Sequence, residues 1–240
     1  MSSITERLGA LRSEIAAHCE QHSIERIPTL IAVSKTKPNE DLIEAYEAGQ
    51  RDFGENYPNE LKVKAAELSK LCPEIRFHFI GSIQKKNINS IIKAPNLVGI
   101  QTLASMEIIE NVDKRLTSSV NVMLQCNTSG EENKGGFLEE EDLFRAAEFV
   151  KNESKFMKLE GLMTIGSVEN SKKAAEENVP NADFTKLREL QQKVAERLKI
   201  SPDDLSLSMG MSTDYLAAIE QGASVIRVGS KIFGARNVTK

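Results

Sequence analysis

Eight short apolar runs, separated by stretches of helical spacing, constrain this chain more than any other feature. The runs fall at 30–34, 51–57, 76–81, 97–102, 121–127, 159–166, 205–209 and 224–229. Helical patterns lie between them at 41–48, 59–70, 84–93, 105–116, 139–150, 183–198 and 213–221. Strands that alternate with helices imply a parallel sheet, because a parallel pair needs a crossover connection. Eight such units predict a single (β/α)8 TIM barrel of the α/β class, and 240 residues is near the ~250 typical of one. The alternative, an open doubly wound sheet, is favoured by a GxGxxG fingerprint, and the sequence has none. Gly49 and Gly222 stand where a helix should stop before the next strand.

One further helix precedes the first strand. Ile4, Leu8, Leu11 and Ile15 form one apolar stripe, which predicts an extra N-terminal helix over 4–21 covering the barrel's bottom or side. His18 and His22 follow at a spacing that suits a metal, but no third ligand is apparent in the sequence, and the expectation is no metal site. The segment 167–181 is polar and contains a proline, so it is read as a long surface loop. No linker or low-complexity block divides the chain, and residues 1–240 are expected to form one domain.

Composition excludes several functions. The formal net charge is −4 and basic residues are interspersed with acids, so no stripe suits a nucleic-acid backbone. Trp is absent and aromatics make up 5%, which argues against a base-stacking platform. No apolar run is long enough to span a bilayer, and residues 1–12 lack the apolar centre of a secretory signal. Three well-separated cysteines, Cys19, Cys72 and Cys126, make no disulfide framework. A cytoplasmic monomer is expected, without nucleic-acid or membrane partners.

In such a barrel the chemistry sits at the C-terminal strand ends. Lys35 ends the first run, and strand alternation puts it on the face of Ile31 and Val33. If that face points inward, Lys35 enters the barrel mouth. A lysine among apolar walls has a lowered pKa and offers a neutral amine to an aldehyde, as a Schiff base requires. The alternative is that Lys35 begins an exposed loop. Lys37 is the weaker candidate, because Pro38 pushes it out of the strand. The last two strands supply candidate phosphate donors: the Ser208 hydroxyl, the Met209 N–H, Gly229 for close backbone approach, and the Ser230 N–H and hydroxyl. The same residues also suit a plain tight turn. Arg227, on Gly229's side of the strand, can face the ring of a cofactor. Ser212 is a candidate N-cap for the helix expected from Thr213. Asn56 and His78 are further polar candidates at strand ends.

These motifs resemble those of the pyridoxal phosphate homeostasis proteins, the YggS/PROSC-type family. The resemblance rests on Ala32-Val33-Ser34-Lys35-Thr36-Lys37-Pro38, Phe53-Gly54-Glu55-Asn56-Tyr57 and His78-Phe79-Ile80-Gly81. It continues through Gly161-Leu162-Met163-Thr164-Ile165, Leu207-Ser208-Met209-Gly210-Met211-Ser212, Val225-Ile226-Arg227-Val228-Gly229-Ser230 and Ile232-Phe233-Gly234-Ala235-Arg236. Any one stretch is weak; all of them in this order, over nearly the whole chain, are specific. The resemblance implies the barrel of the alanine racemase N-terminal domain (fold type III), with pyridoxal 5′-phosphate (PLP) on Lys35. It further implies a phosphate cup of Ser208, Met209, Gly229 and Ser230, Arg227 beside the pyridine nitrogen, and Asn56 near the ring. One departure is local. Where the family reads Leu-Gln-x-Asn-Lys, this chain has Ile83-Gln84-Lys85-Lys86-Asn87, so no family role passes to Lys86 or Asn87.

Cofactor binding alone does not make an enzyme. Racemisation needs a base on each face of the substrate, and the resemblance places the opposing base of alanine racemase in a second domain that 240 residues do not accommodate. An arginine at the pyridine nitrogen also keeps the ring a poor electron sink. The expectation is therefore a non-enzymatic PLP carrier in vitamin B6 and amino-acid homeostasis that supplies apo PLP-dependent enzymes. The alternatives are a fold-type III amino-acid racemase or decarboxylase, and a phosphate-binding barrel enzyme without PLP.

Overall fold

A computed structural model describes residues 2–131 and 134–235. Its centre is a closed parallel barrel with strands in chain order: β1 (Thr29–Val33), β2 (Asp52–Glu55), β3 (Arg76–Phe79), β4 (Leu97–Leu103), β5 (Val120–Gln125), β6 (Met157–Met163), β7 (Ser206–Ser208) and β8 (Val225–Val228). Each of the eight overlaps one of the apolar runs, with bounds that differ by one to three residues in most. The ring closes by pairing β8 with β1, Ile31 opposite Arg227 and Ala32 opposite Val228. The seam between β7 and β8 is the thinnest, with Ser208 opposite Val225.

Around the barrel run α1 (Ile4–Gln21), α2 (Asn39–Glu47), α3 (Pro58–Leu71), α4 (Ile88–Ile92), α5 (Met106–Asp113), α6 (Glu140–Asn152), α7 (Val168–Glu177), α8 (Ala182–Leu198), α9 (Tyr215–Glu220) and α10 (Ser230–Phe233). The apolar residues separate into two sets, as the barrel geometry requires. Ile31, Met123, Met163 and Val225 fill the interior with Ile165. Phe53, Phe77, Phe79, Leu42 and Leu61 belong to the larger cluster between sheet and helices. Ile31 in the interior set fixes the inward face of β1, the face that carries Val33 and Lys35.

The N-terminal helix forms with the bounds its periodicity predicts. Ser3 caps it: its hydroxyl accepts from the Glu6 N–H at 3.1 Å, and the Glu6 carboxylate accepts from the Ser3 N–H at 3.0 Å. Its stripe buries Ile4, Leu8, Leu11 and Ile15, each worth about 1.5–3 kcal/mol over exposure. It packs on α2, α9 and α10, on the side of the barrel. Gly49 and Gly222 end α2 and α9 with φ of +86° and +91°, a backbone that side chains resist.

Three local expectations are corrected. The segment read as a loop over 167–181 contains α7. Ser167 caps it by accepting from the Asn170 N–H, and Asn178 ends it in the left-handed region. With only Ala174 buried it shows no apolar stripe, so helix-forming Ala, Glu and Lys carry it. The helix expected over 84–93 is a 3-10 turn, Lys85–Asn87, followed by α4. The helix expected from Thr213 starts at Tyr215 with Asp214 at its N-cap, which frees Ser212 from that role. The short α10 was not expected, because four residues leave no periodicity to read.

Candidate cofactor site

The C-terminal mouth of the barrel opens into a cleft of about 390 Å³. Lys35, Asn56, Arg227, Gly229 and Ser230 line it, with Ile80, Met163 and Ile165 supplying apolar wall. These polar residues come from β1, β2 and β8, which are neighbours in the closed ring. Val33 pairs with Gly54, so two residues further on Lys35 stands level with Asn56.

Lys35 is presented by a constrained turn. The Lys37 N–H donates to the Ser34 carbonyl at 3.1 Å, and Thr36 between them has φ of +62°. A β-branched residue there costs on the order of 1–3 kcal/mol and persists only where its surroundings hold it. A buried ionic clasp does so. The Lys64 ammonium donates to the Ser34 carbonyl, to Glu55 Oε1 and to Glu60 Oε1, each at 2.7 Å. Glu60 Oε1 also accepts from the Thr36 N–H at 2.6 Å, and Glu55 Oε1 from the Ser34 hydroxyl at 2.6 Å. Both peptide groups flanking Lys35 are thus tied to one cation. Glu55 is fully buried, and that burial pushes its carboxyl above the usual range against the opposing pull of Lys64.

The loops after β7 and β8 form the opposite wall. Met211, Ser212 and Thr213 line the cleft beside Gly229 and Ser230. The Ser212 hydroxyl accepts from the Gly229 N–H at 3.3 Å, so it sits over the strand end. The N–H groups of Ser212, Thr213 and Ser230 have no acceptor among the described residues. With three hydroxyls beside them they make a donor-rich wall suited to an oxyanion. Gly229 is needed for a different approach than expected: a Cβ there would meet the Val33 carbonyl oxygen at 3.1 Å. Its lack of a side chain lets β8 close onto β1.

Arg227 forms the cleft floor. It is 4% exposed and donates to Ser208 Oγ at 2.6 Å and to the Thr164 carbonyl at 2.8 Å. Burial lowers its pKa to about 10, so it remains a cation at neutral pH. Asn56 donates to the Ile80 carbonyl at 3.4 Å, while its Oδ1 is buried without a hydrogen-bond partner among the described residues. A buried unpaired acceptor on a cleft wall is a place where a ligand donor fits.

Other sequence candidates lie elsewhere. Ser208 is buried below the mouth, with its hydroxyl donating to Gln101 Oε1 at 2.8 Å while accepting from Arg227. The Met209 N–H donates to the Val225 carbonyl at 3.1 Å, closing the β7–β8 seam. The donors assigned to these two are therefore engaged inside the barrel, and Ser212 and Thr213 take their place on the cleft wall. His78 is near the barrel's other end, with Nε2 2.9 Å from Asp52 Oδ1, because its strand position precedes the mouth. Lys37 lines the rim and donates to the carbonyls of Phe233 and Ala235 at 3.0 and 3.1 Å. Arg236, the last residue of the motif, lies outside the described residues. Sequence spacing hinted at part of the clasp, since Glu60 and Lys64 are four apart on α3. No local signal could join them to Glu55.

The chain can be placed among known proteins. A family model described as "Alanine racemase, N-terminal domain" matches residues 7–237. The human pyridoxal phosphate homeostasis protein is 38% identical over 257 residues, covering 98% of this chain and 92% of its own. PipY of Synechococcus elongatus, solved with PLP bound, is 30% identical with a TM-score of 0.75, covering 97% of this chain and all of its own. Alanine racemase from E. faecalis shares the fold at 20% identity and a TM-score of 0.65. The match covers 93% of this chain and 58% of the racemase. The chain belongs to the pyridoxal phosphate homeostasis protein family, built on the barrel of the alanine racemase N-terminal domain.

Proposed function

We propose that this protein holds PLP as a Schiff base on Lys35 and serves PLP (vitamin B6) and amino-acid homeostasis with little or no turnover. The observation that carries the reading is one cleft that joins a strand-end lysine to a wall of hydroxyls and of backbone amides without an acceptor among the described residues. PLP supplies a reactive aldehyde beside a pyridine ring and a phosphate. The residues fit each part. Lys35 offers the amine, on a turn whose neighbouring peptides are fixed by Lys64 and Glu60. Ser212, Thr213 and Ser230, on the wall that Gly229 completes, would hold the phosphate. Ser208 and Met209 support that wall from below, through Arg227 and the β7–β8 seam. Asn56 Oδ1, without a partner among the described residues, would accept from a donor on the ring edge.

Arg227 sets the chemistry. A cation held by Ser208 and Thr164 can donate to the pyridine nitrogen but not protonate it, so the ring withdraws electrons weakly. That favours storage of the aldehyde over abstraction of a substrate's α-proton. The reading extends to one cofactor-binding domain acting as a cytoplasmic monomer and delivering PLP to apo-enzymes. No helix among the described residues is long and apolar enough to cross a membrane.

The test has two arms. PLP added to purified protein should give a visible imine band that Lys35→Ala abolishes; an unchanged band in that variant rejects the site. Incubation with L- and D-alanine should show α-proton exchange far below enzymatic rates. Sustained exchange at enzyme-like rates would establish a racemase instead.

A further inference from the structure

We propose that His18, His22 and Glu220 form a divalent transition-metal site, of the kind zinc occupies, that clips α1 to α9 on the outside of the barrel. The two histidines are one turn apart at the end of α1, so their rings share a face, with centroids 4.4 Å apart. The sequence shows no third ligand near them. The fold supplies it: α9 packs beside α1 and ends at Glu220. Glu220 Oε1 lies 3.0 Å from His18 Nε2 and 3.6 Å from His22 Nε2. One ligand atom from each of the three residues lies within 4.8 Å of the others. Zinc bonds of ~2.0–2.2 Å place tetrahedral ligand atoms about 3.3–3.5 Å apart, and the two measured separations bracket that spacing.

The burial of His18 Nε2 gives a second pointer. Its Nε2 is buried and makes no hydrogen bond among the described residues, although a carboxylate oxygen is 3.0 Å away. Atoms bearing lone pairs at that distance require a proton or a cation between them. A proton satisfies one imidazole; a metal ion satisfies both imidazoles and the carboxylate together. Two imidazoles and one carboxylate suit zinc and its neighbours better than calcium or magnesium, and leave one position for water. The site joins segments near opposite ends of the chain. None of its residues lines the cofactor cleft, so the proposal does not rest on the PLP reading.

The experiment uses the full-length, PLP-loaded protein, stripped with EDTA, dialysed free of chelator and equilibrated with buffered micromolar zinc. Bound metal is measured by mass spectrometry and thermal stability by calorimetry. The proposal expects about one zinc per chain and a Tm that rises with free zinc, since the ion binds only the folded arrangement. His22→Ala and Glu220→Gln alter partly exposed side chains, and far-UV circular dichroism checks their folding. Each should bind zinc at least about tenfold more weakly and lose the Tm rise. Wild type with less than about a tenth of an equivalent overturns the site. So does wild-type stoichiometry in both variants, which would put the metal on the cofactor or on a thiol.

Discussion

Replacing Lys64 with Met tests whether the clasp behind Lys35 holds the turn. The substitution keeps an apolar stem in α3 but removes the cation shared by the Ser34 carbonyl, Glu55 and Glu60. Breaking a buried ion pair from one side costs about 3–5 kcal/mol when the stranded charge stays charged. Glu55 has an escape, because burial already raises its pKa and it can take up a proton. Each pH unit of displaced titration is worth about 1.4 kcal/mol, and an unfolded glutamate titrates near pH 4.3. Keeping Glu55 neutral at pH 7 therefore costs at most about 3–4 kcal/mol, less whatever the wild type already bears. The sign follows. A folded pKa above the unfolded one preserves stability below the unfolded pKa and loses it as pH rises toward the folded value. Urea unfolding should show Lys64→Met destabilised by about 2–4 kcal/mol at pH 7.5, shrinking to about 1 kcal/mol near pH 4.5. The double variant Glu55→Gln, Lys64→Met should recover much of the loss at pH 7.5, because no buried charge is stranded. A loss below about 1 kcal/mol at every pH, with no pH trend, would refute the clasp as a support of the turn.

Other expectations follow from the same geometry. Thr36→Gly should stabilise the protein by up to about 1 kcal/mol in urea unfolding, since glycine adopts the positive φ without strain; marked destabilisation would mean the turn is unstrained. Gly229→Ala forces a methyl to 3.1 Å from the Val33 carbonyl oxygen and should weaken PLP binding about tenfold or more in a spectroscopic titration. Burial raises the Asp52 carboxyl, but hydrogen bonds from His78 and Arg76 outweigh it and hold the pKa below the usual range. Its stability contribution is present above about pH 4 and lost as pH falls through the folded value. Asp52→Asn should thus destabilise at pH 7 and lose part of the acid sensitivity, as urea unfolding across pH reports. Cys19, Cys72 and Cys126 are buried with raised pKa values, Cys126 to about 12. A disulfide reagent at pH 8 should titrate them after unfolding and react far more slowly with the native protein.

The barrel was legible because its strands are short, apolar and bounded by helical patterns, so period and punctuation agree. α1 was legible from the stripe running from Ile4 to Ile15, and the Ser3–Glu6 capping box that fixes its start emerged with the structure. α7 was not, because only one alanine faces the core. At the site, strand alternation groups Lys35 with Ile31 and Val33 and puts Arg227 on Gly229's side, while Asn56 is only a polar residue at a strand end. Which face turns inward comes from the fold, and the cleft brings the three together. Ser208 and Met209 could not be placed, because the sequence does not reveal where β7 ends relative to the mouth; that strand is three residues long and the cleft begins beyond it. The Glu55–Lys64 contact and the meeting of Glu220 with the two histidines are tertiary, and no local pattern encodes either.

The central claim is that one amine, on Lys35, captures PLP. Borohydride reduction of the PLP-loaded protein, followed by proteolysis and mass-spectrometric mapping of the pyridoxyl group, tests it most directly. The account predicts the label on Lys35. Stoichiometric label on Lys37 or another lysine, with Lys35 unmodified, would contradict it.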